Sequence, residues 1–157
     1  MRRGVRLAVD VGSVRVGVAA SDPSATLATP VTVLRRDTRT ERDLAELATL
    51  VREREAVEVV VGLPRSLRNA EGAAAASARA YAVRLAAAVA PVPVRMVDER
   101  LTTVEATRGL RAAGHDSKSA RGVVDAAAAV VLLQNALDTE RRTDAPPGEI
   151  VTPEDQQ

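Results

Sequence analysis

Residues Leu7 to Ser21 read LAVDVGSVRVGVAAS, two valine-rich and alanine-rich runs on either side of a short Gly-Ser segment. Valine favours strands because its branched side chain packs well on a pleated surface. The first run is almost entirely apolar, which is typical of a strand that is covered on both faces. The stretch therefore predicts a buried β-hairpin, with strands over Val5–Asp10 and Val16–Ser21.

Asp10 stands where the first of these strands ends. Open α/β sheets hold their functional sites at the rim, beyond the ends of the strands. Gly12 and Gly17 permit a tight reversal and a close approach of the backbone. An aspartate at this place can also serve only to close the turn with its side chain, so Asp10 alone does not distinguish a site from a turn.

Further along the chain, apolar periodicity alternates between strands and helices. The predicted elements are a strand over Val31–Leu34, a helix over Arg39–Arg54, a strand over Val57–Leu63, a helix over 71–89, a strand over Val94–Val97, and helices over 102–113 and Ala120–Leu137. A hairpin followed by βα units predicts an α/β fold with a five-stranded mixed sheet and helices on both faces. Residues 1–137 form one predicted domain, and the acidic, proline-containing segment 138–157 is a predicted disordered tail.

Composition limits the classes of function. The chain of 157 residues has no cysteine, which excludes disulfides and thiolate metal sites. Its longest apolar run, Ala126 to Leu133, is far shorter than the roughly 18 residues of a membrane span. The N-terminus lacks a signal-peptide pattern, so a cytoplasmic protein without a membrane partner is expected. Residues 1–137 hold twenty basic and fifteen acidic side chains, a surplus compatible with a polyanionic partner.

Three groups of acidic residues occupy comparable positions. Asp10 ends the first strand, Asp98 and Glu99 end the last one, and Asp125 lies within an apolar helical segment. A buried carboxylate is costly unless it is paired, bound to a metal or placed at an opening. An ion pair between Asp125 and Arg121, four residues earlier on the same helix face, is the alternative explanation.

If these acids meet, they require a cation. Two unit charges ~4 Å apart repel by about 4 kcal/mol at an effective dielectric constant of ~20. Ligation by oxygen atoms alone suits Mg²⁺ or Mn²⁺ better than zinc. Such an ion activates water and stabilises an in-line displacement at phosphorus. The acids therefore indicate phosphoryl chemistry.

Four segments resemble one known family. They are Asp10-Val-Gly-Ser-Val-Arg-Val-Gly, Val61-Gly-Leu-Pro, Asp98-Glu-Arg-Leu-Thr-Thr-Val-Glu-Ala and Val124-Asp-Ala-Ala-Ala-Ala-Val-Val-Leu-Leu. In this order they resemble the YqgF/RuvX proteins, the Holliday-junction-resolvase or pre-16S rRNA nuclease group of the RNase H-like superfamily. The resemblance implies an RNase H-like fold with the second strand antiparallel. It also implies a divalent-metal phosphodiesterase site at Asp10, Glu99 and Asp125, where Asp98 could replace Glu99.

The expected activity is metal-dependent hydrolysis of structured nucleic acid, with 5′-end processing of precursor 16S rRNA favoured over Holliday junction resolution. The residues expected to contact phosphates are Arg15, Arg65, Arg68, Arg100, Thr103, Lys118 and Arg121. Phenylalanine and tryptophan are absent and Tyr81 is the single tyrosine, so a base-stacking platform is not expected. Recognition should rest on backbone and shape.

Two other classes of function compete with the nuclease. An Asp-x-Gly-Ser segment beside a hairpin also opens the fold of actin-like sugar kinases and chaperone ATPases. Those proteins bind ATP between two such domains, and this chain has the length of one. A non-catalytic RNA-associated or ribosome-associated module that keeps the fold is the third possibility. Monomer and homodimer are both compatible with the sequence.

Overall fold

The computed structural model describes residues 1–64, 72–99 and 117–153, and within the last range it describes side chains from Ala126 onward. In chain order the elements are β1 (Arg6–Val11), β2 (Arg15–Ser21), β3 (Ala28–Arg35), α1 (Arg42–Glu53), β4 (Glu58–Leu63), α2 (Ala73–Val89), β5 (Val94–Asp98), α3 (Ser117–Thr143) and β6 (Glu149–Val151). The helix predicted over 102–113 lies outside the described residues.

The strands form one mixed sheet in the order β3-β2-β1-β4-β5-β6. β2 is antiparallel to both β1 and β3, whereas β4 is parallel to both β1 and β5. β1 therefore lies near the centre of the sheet, with the hairpin on one side and the βα units on the other. The predicted α/β class, mixed sheet and antiparallel second strand are confirmed.

The sheet has six strands rather than the predicted five, because the C-terminal segment contributes one. α3 continues to Thr143, and β6 then pairs antiparallel with β5. A reversal at Gly148, whose φ of 82° suits glycine, leads into β6. Residues 138–151, which were expected to be disordered, are thus a helix end, a turn and an edge strand.

Helices cover both faces of the sheet. On one face α1 and α2 pack against alternate strand residues that include Leu7, Val9 and Val61. On the other face α3 packs against Ala8, Ala19 and Val60, which are small enough to let the helix approach closely. The core consequently contains mainly valine, leucine and alanine. No helix in the described ranges is long and apolar enough to cross a bilayer.

α1 begins later than its apolar periodicity predicts. The Asp37 carboxylate accepts hydrogen bonds from the backbone N–H groups of Arg39 and Thr40, both at 3.0 Å. This side-chain turn competes with the helix, so α1 starts at Arg42 instead of Arg39.

A buried network of charges joins the end of α3 to the start of β1. Arg6 is 2% exposed and donates to Glu140 Oε2 at 2.9 Å. Arg2 bridges Glu140 and Glu58, and Arg95 donates to Glu58 Oε2 at 3.0 Å. Because Glu140 lies beside the first residue of β1 while Ala129 packs in one cluster with Ala8, α3 runs antiparallel to β1.

Candidate active site

Asp10 and Glu99 come together on the face of the sheet that α3 covers. Side chains alternate along a strand, so Asp10 shares a face with Ala8, which packs in the cluster under α3. Glu99 follows β5, and its backbone N–H donates to the Leu63 carbonyl at 3.3 Å, which extends the pairing of β5 with β4. The two carboxyl groups are close enough to form a side-chain hydrogen bond.

Gly62 allows the carboxyl groups of Asp10 and Glu99 to approach each other. β4 lies between β1 and β5, so the Glu99 side chain must cross β4 to reach Asp10. A β-carbon built on Gly62 would overlap Oε2 of Glu99. Glycine inside a strand often marks a close approach of another group, and at position 62 that group is the Glu99 carboxylate.

Burial and crowding raise the pKa of the Glu99 carboxyl from its ordinary 4.5 to about 7. Removal from water is the largest cause, and the charge and hydrogen bond of Asp10 and the charge of Asp98 add to it. Burial and the neighbouring negative charges thus disfavour the ionised form of Glu99. A cation between the two carboxylates would relieve the same repulsion.

The donor set therefore fits a hard divalent cation. Both donors are carboxylates at one spot, and oxygen ligands of this kind suit Mg²⁺ or Mn²⁺. Within the part of the chain whose side chains are described, no group of three or more His, Cys, Asp or Glu side chains could hold a metal ion. The side chain of Asp125, the third expected ligand, lies outside that part.

Asp98 lies on the opposite face from Glu99. It alternates with Val97 and shares the face of Met96, a residue of the core under α1 and α2. There it borders a hollow with Leu63, Pro147 and Gly148. Strand alternation therefore separates the two adjacent acids, and Glu99 is the one that joins Asp10.

A shallow groove opens beside Asp10. Among the described residues, the β1–β2 turn and its flanks line it: Asp10, Gly12, Ser13, Val14, Arg15 and Gly17. Gly17 pairs directly with Asp10 across the two strands, so position 17 contributes no side chain that could cover the carboxylate. Exposed Arg15 stands at the edge of this groove, where a phosphate could reach it.

The other expected phosphate contacts lie outside the part of the chain whose side chains are described. Arg65, Arg68, Arg100 and Thr103 lie outside the described residues. Lys118 and Arg121 belong to α3, but their side chains are not among those described.

Arg36 holds the turn beside Asp10, a role that the sequence analysis missed. Its backbone N–H donates to the Val14 carbonyl at 2.8 Å, and its Nη1 donates to the Gly12 carbonyl at 3.0 Å. The guanidinium lies over the ring of Tyr81, 5.2 Å from the centroid. The Tyr81 hydroxyl in turn donates to Asp43 Oδ2 at 2.8 Å, inside the core. Arg36 therefore connects the groove to α2 through Tyr81, and Tyr81 connects it to α1 through Asp43.

The close approach at Gly62 had a signal in the sequence, a glycine within an otherwise branched apolar strand. Arg36 had none, since its partners lie far away along the chain. Its contacts exist only once the sheet and helices have assembled.

Comparison with known proteins adds to this geometry. A family profile described as "RuvX: Holliday junction resolvase" matches residues 4–139. The chain belongs to the RuvX family. The match covers nearly all of the described fold, including Asp10 on β1 and Glu99 directly after β5, so the resemblance inferred from the four sequence segments is confirmed.

Curated relatives are similar to this chain over most of their length. A protein of Streptomyces coelicolor named "Putative pre-16S rRNA nuclease" is 58% identical over 150 residues, which cover 95% of this chain and 89% of that protein. A protein of Thermobifida fusca with the same name is 59% identical over 158 residues, covering 96% of this chain and 98% of that protein.

Solved structures agree on the fold. Thermus thermophilus RuvC in complex with a Holliday junction substrate superposes with a TM-score of 0.59 at 16% identity, covering 93% of this chain and 99% of that one. A second structure of the same RuvC gives a TM-score of 0.57. At this identity the likeness concerns the arrangement of strands and helices, which is RNase H-like.

Proposed function

We propose that this RuvX-family protein is a metal-dependent nuclease that hydrolyses phosphodiester bonds in structured nucleic acid, with precursor 16S rRNA as its substrate. One observation carries the proposal: Glu99 crosses β4 at Gly62 to meet Asp10 on an open rim of the sheet. Two crowded carboxylates beside a groove form a site for a cation and an anionic substrate. The names of the relatives supply the substrate.

Asp10, Glu99 and Asp125 would hold Mg²⁺ or Mn²⁺. α3 runs antiparallel to β1, so the helix residues that precede Ala129 lie toward the Asp10 end of the strand. Position 125 is about one turn, ~6 Å, before Ala129 and on the same helix face by the helical repeat. When bound there, the ion would activate water and stabilise the charge that develops on the phosphate.

The protein's own groups have separate tasks in this proposal. Asp10 and Glu99 bring two carboxyl groups together at the rim, where they would bind the cation. Gly17 leaves the Asp10 carboxylate open toward the groove. Arg15 at the groove edge would bind a phosphate oxygen and thereby orient the substrate backbone.

The test compares wild-type protein with Asp10→Asn, Glu99→Gln and Asp125→Asn. Each variant should lower Mg²⁺-dependent cleavage of a precursor 16S rRNA fragment by at least about a hundredfold, because a ligand charge is lost without loss of volume. Circular dichroism should show an intact fold. Asp138→Asn is the matched control, since Asp138 lies exposed on α3 in a surface pair with Arg141. Full activity of Asp10→Asn would disprove the proposal.

A four-way DNA junction is the second substrate in this test. The family description names Holliday junction resolution, so junction cleavage is the second candidate function. Both substrates should be assayed under the same concentrations of salt and Mg²⁺. Faster cleavage of the junction than of the RNA would assign the protein to DNA recombination.

A further inference from the structure

Arg15 and Arg35 lie directly opposite each other on the antiparallel strands β2 and β3. Both residues are exposed. Like charges at directly opposed positions destabilise a sheet, whereas most opposed pairs stabilise it. The protein thus maintains a cross-strand pair of cations that works against its own folding.

This arginine pair shares a face with the candidate active site. Asp10 pairs with Gly17, and Gly17 pairs with Val33, so these three positions form one row across the sheet. Arg15 and Arg35 lie two residues further along β2 and β3, which keeps them on the same face. The arginine row is displaced from the Asp10 row by about 7 Å along the strands.

The charges of the pair are not neutralised within the described ranges. Neither Arg15 nor Arg35 forms an ion pair there. Asp37, the carboxylate two residues after Arg35, instead accepts hydrogen bonds from Arg39 and Thr40. Two exposed guanidinium groups that lack a carboxylate partner among the described residues suit an anion from outside the chain.

The backbone that carries Arg35 is held in place. Arg36 bonds to the β1–β2 turn through its backbone N–H to the Val14 carbonyl and through its guanidinium to the Gly12 carbonyl. Arg15 begins the strand that leaves the same turn, and its carbonyl accepts a hydrogen bond from the Gly12 N–H at 2.8 Å. The backbone at both arginines is therefore held by the same hydrogen bonds beside the groove. This lowers the entropic cost of binding a ligand between the two side chains.

We propose that Arg15 and Arg35 together bind one backbone phosphate of the substrate strand, next to the phosphate that lies at Asp10. The proposal rests on the proposed nuclease function and adds a specific phosphate subsite to it. Two guanidinium forks present planar N–H donors to the several oxygens of one phosphate. Because the contact is made to the backbone, it does not depend on base sequence.

The experiment measures binding without cleavage. Fluorescence anisotropy in EDTA would follow a labelled precursor 16S rRNA stem and a labelled four-way DNA junction over a series of KCl concentrations. The proteins are wild type, Arg15→Gln, Arg35→Gln and the double variant. Arg52→Gln is the control, because Arg52 is an exposed arginine of α1 whose guanidinium donates to Thr49.

Arg35→Gln and Arg15→Gln should each weaken binding about tenfold for every sequence tested. The slope of log Kd against log salt should fall by about one. The double variant should lose less than the sum of the two single losses, because both side chains act on one group. Each single variant should melt at or above the wild-type temperature, since a repulsion has been removed.

Three results would count against the subsite or the function, and they are distinguishable. If Arg35→Gln binds with the affinity and salt slope of Arg52→Gln, the subsite is wrong although the nuclease stands. Fully additive losses in the double variant would overturn the shared phosphate. If wild-type protein neither binds nor cleaves either nucleic acid, the proposed function itself fails.

Discussion

The carboxylate of Glu99 occupies the space that a side chain at position 62 would fill, because a β-carbon on Gly62 would overlap Oε2 of Glu99. The contact between Glu99 and Asp10 therefore depends on Gly62, a residue that has no side chain and no catalytic group. It also yields a test of the site that changes no charge.

Gly62→Ala should lower Mg²⁺-dependent cleavage by about a hundredfold, since a displacement of about 1 Å at a reacting group costs that much. The fold should persist, because the added methyl group meets the flexible end of a side chain. Gly72→Ala is the control, as nothing lies within 4 Å of a β-carbon there. Equal rates for the two variants in a cleavage assay would show that Glu99 need not cross β4.

The pH dependence of stability should report Glu99. Its carboxyl has a pKa of about 7 in the folded protein against 4.5 ordinarily. Between these values the unfolded chain releases a proton that the folded chain keeps, so the free energy of unfolding should decrease as pH rises from about 4.5 to above 7. Calorimetry in EDTA would measure this decrease, and Glu99→Gln should reduce it. Added Mg²⁺ should oppose it at the upper end of the range.

A steeper pH dependence in Glu99→Gln than in the wild type would contradict this interpretation. The single histidine of the chain, His115, is present in both proteins. The difference between the two curves therefore isolates the carboxyl group.

Tyr81 offers a second titration that can be observed directly. Burial, followed by the hydrogen bond to and charge of Asp43, raises the pKa of its hydroxyl well above the ordinary 10. The chain has no tryptophan and no other tyrosine, so ultraviolet absorbance follows this residue alone. Stability should fall as pH rises above about 10, where only the unfolded chain ionises. The phenolate signal should appear together with the loss of helical circular dichroism, and its appearance in a fully folded protein would refute the buried placement.

Glu140→Ala should destabilise the protein by about 3 to 5 kcal/mol, because it leaves the buried guanidinium of Arg6 without its carboxylate. Burial acts to raise the pKa of Glu140, but hydrogen bonds from Arg2 and the charge of Arg6 outweigh it and hold the pKa below its ordinary value. Urea denaturation would measure the loss. Asp138→Ala, two residues earlier and exposed, should change little; similar losses for both would argue against a buried network.

The order of strands and helices could be predicted from the sequence because apolar periodicity is local. The hairpin around Asp10, the buried strand ending at Leu63 and the long C-terminal helix all follow from the repeat of apolar residues. The position of Asp10 at a strand end followed from the same pattern. The sixth strand could not be predicted in this way, because β6 has three residues and owes its pairing to β5.

Which of Asp98 and Glu99 lies beside Asp10 is determined only by the tertiary structure. Alternation states only that the two neighbours point to opposite faces, and the placement of α3 and of Asp10 determines which face holds the site. The brace from Arg36 to Gly12 and the cross-strand pair Arg15–Arg35 likewise join residues about twenty positions apart. Local patterns of hydrophobicity thus specified the elements and the candidate acids. Contacts between distant residues arise only when the sheet register and helix packing bring those residues together.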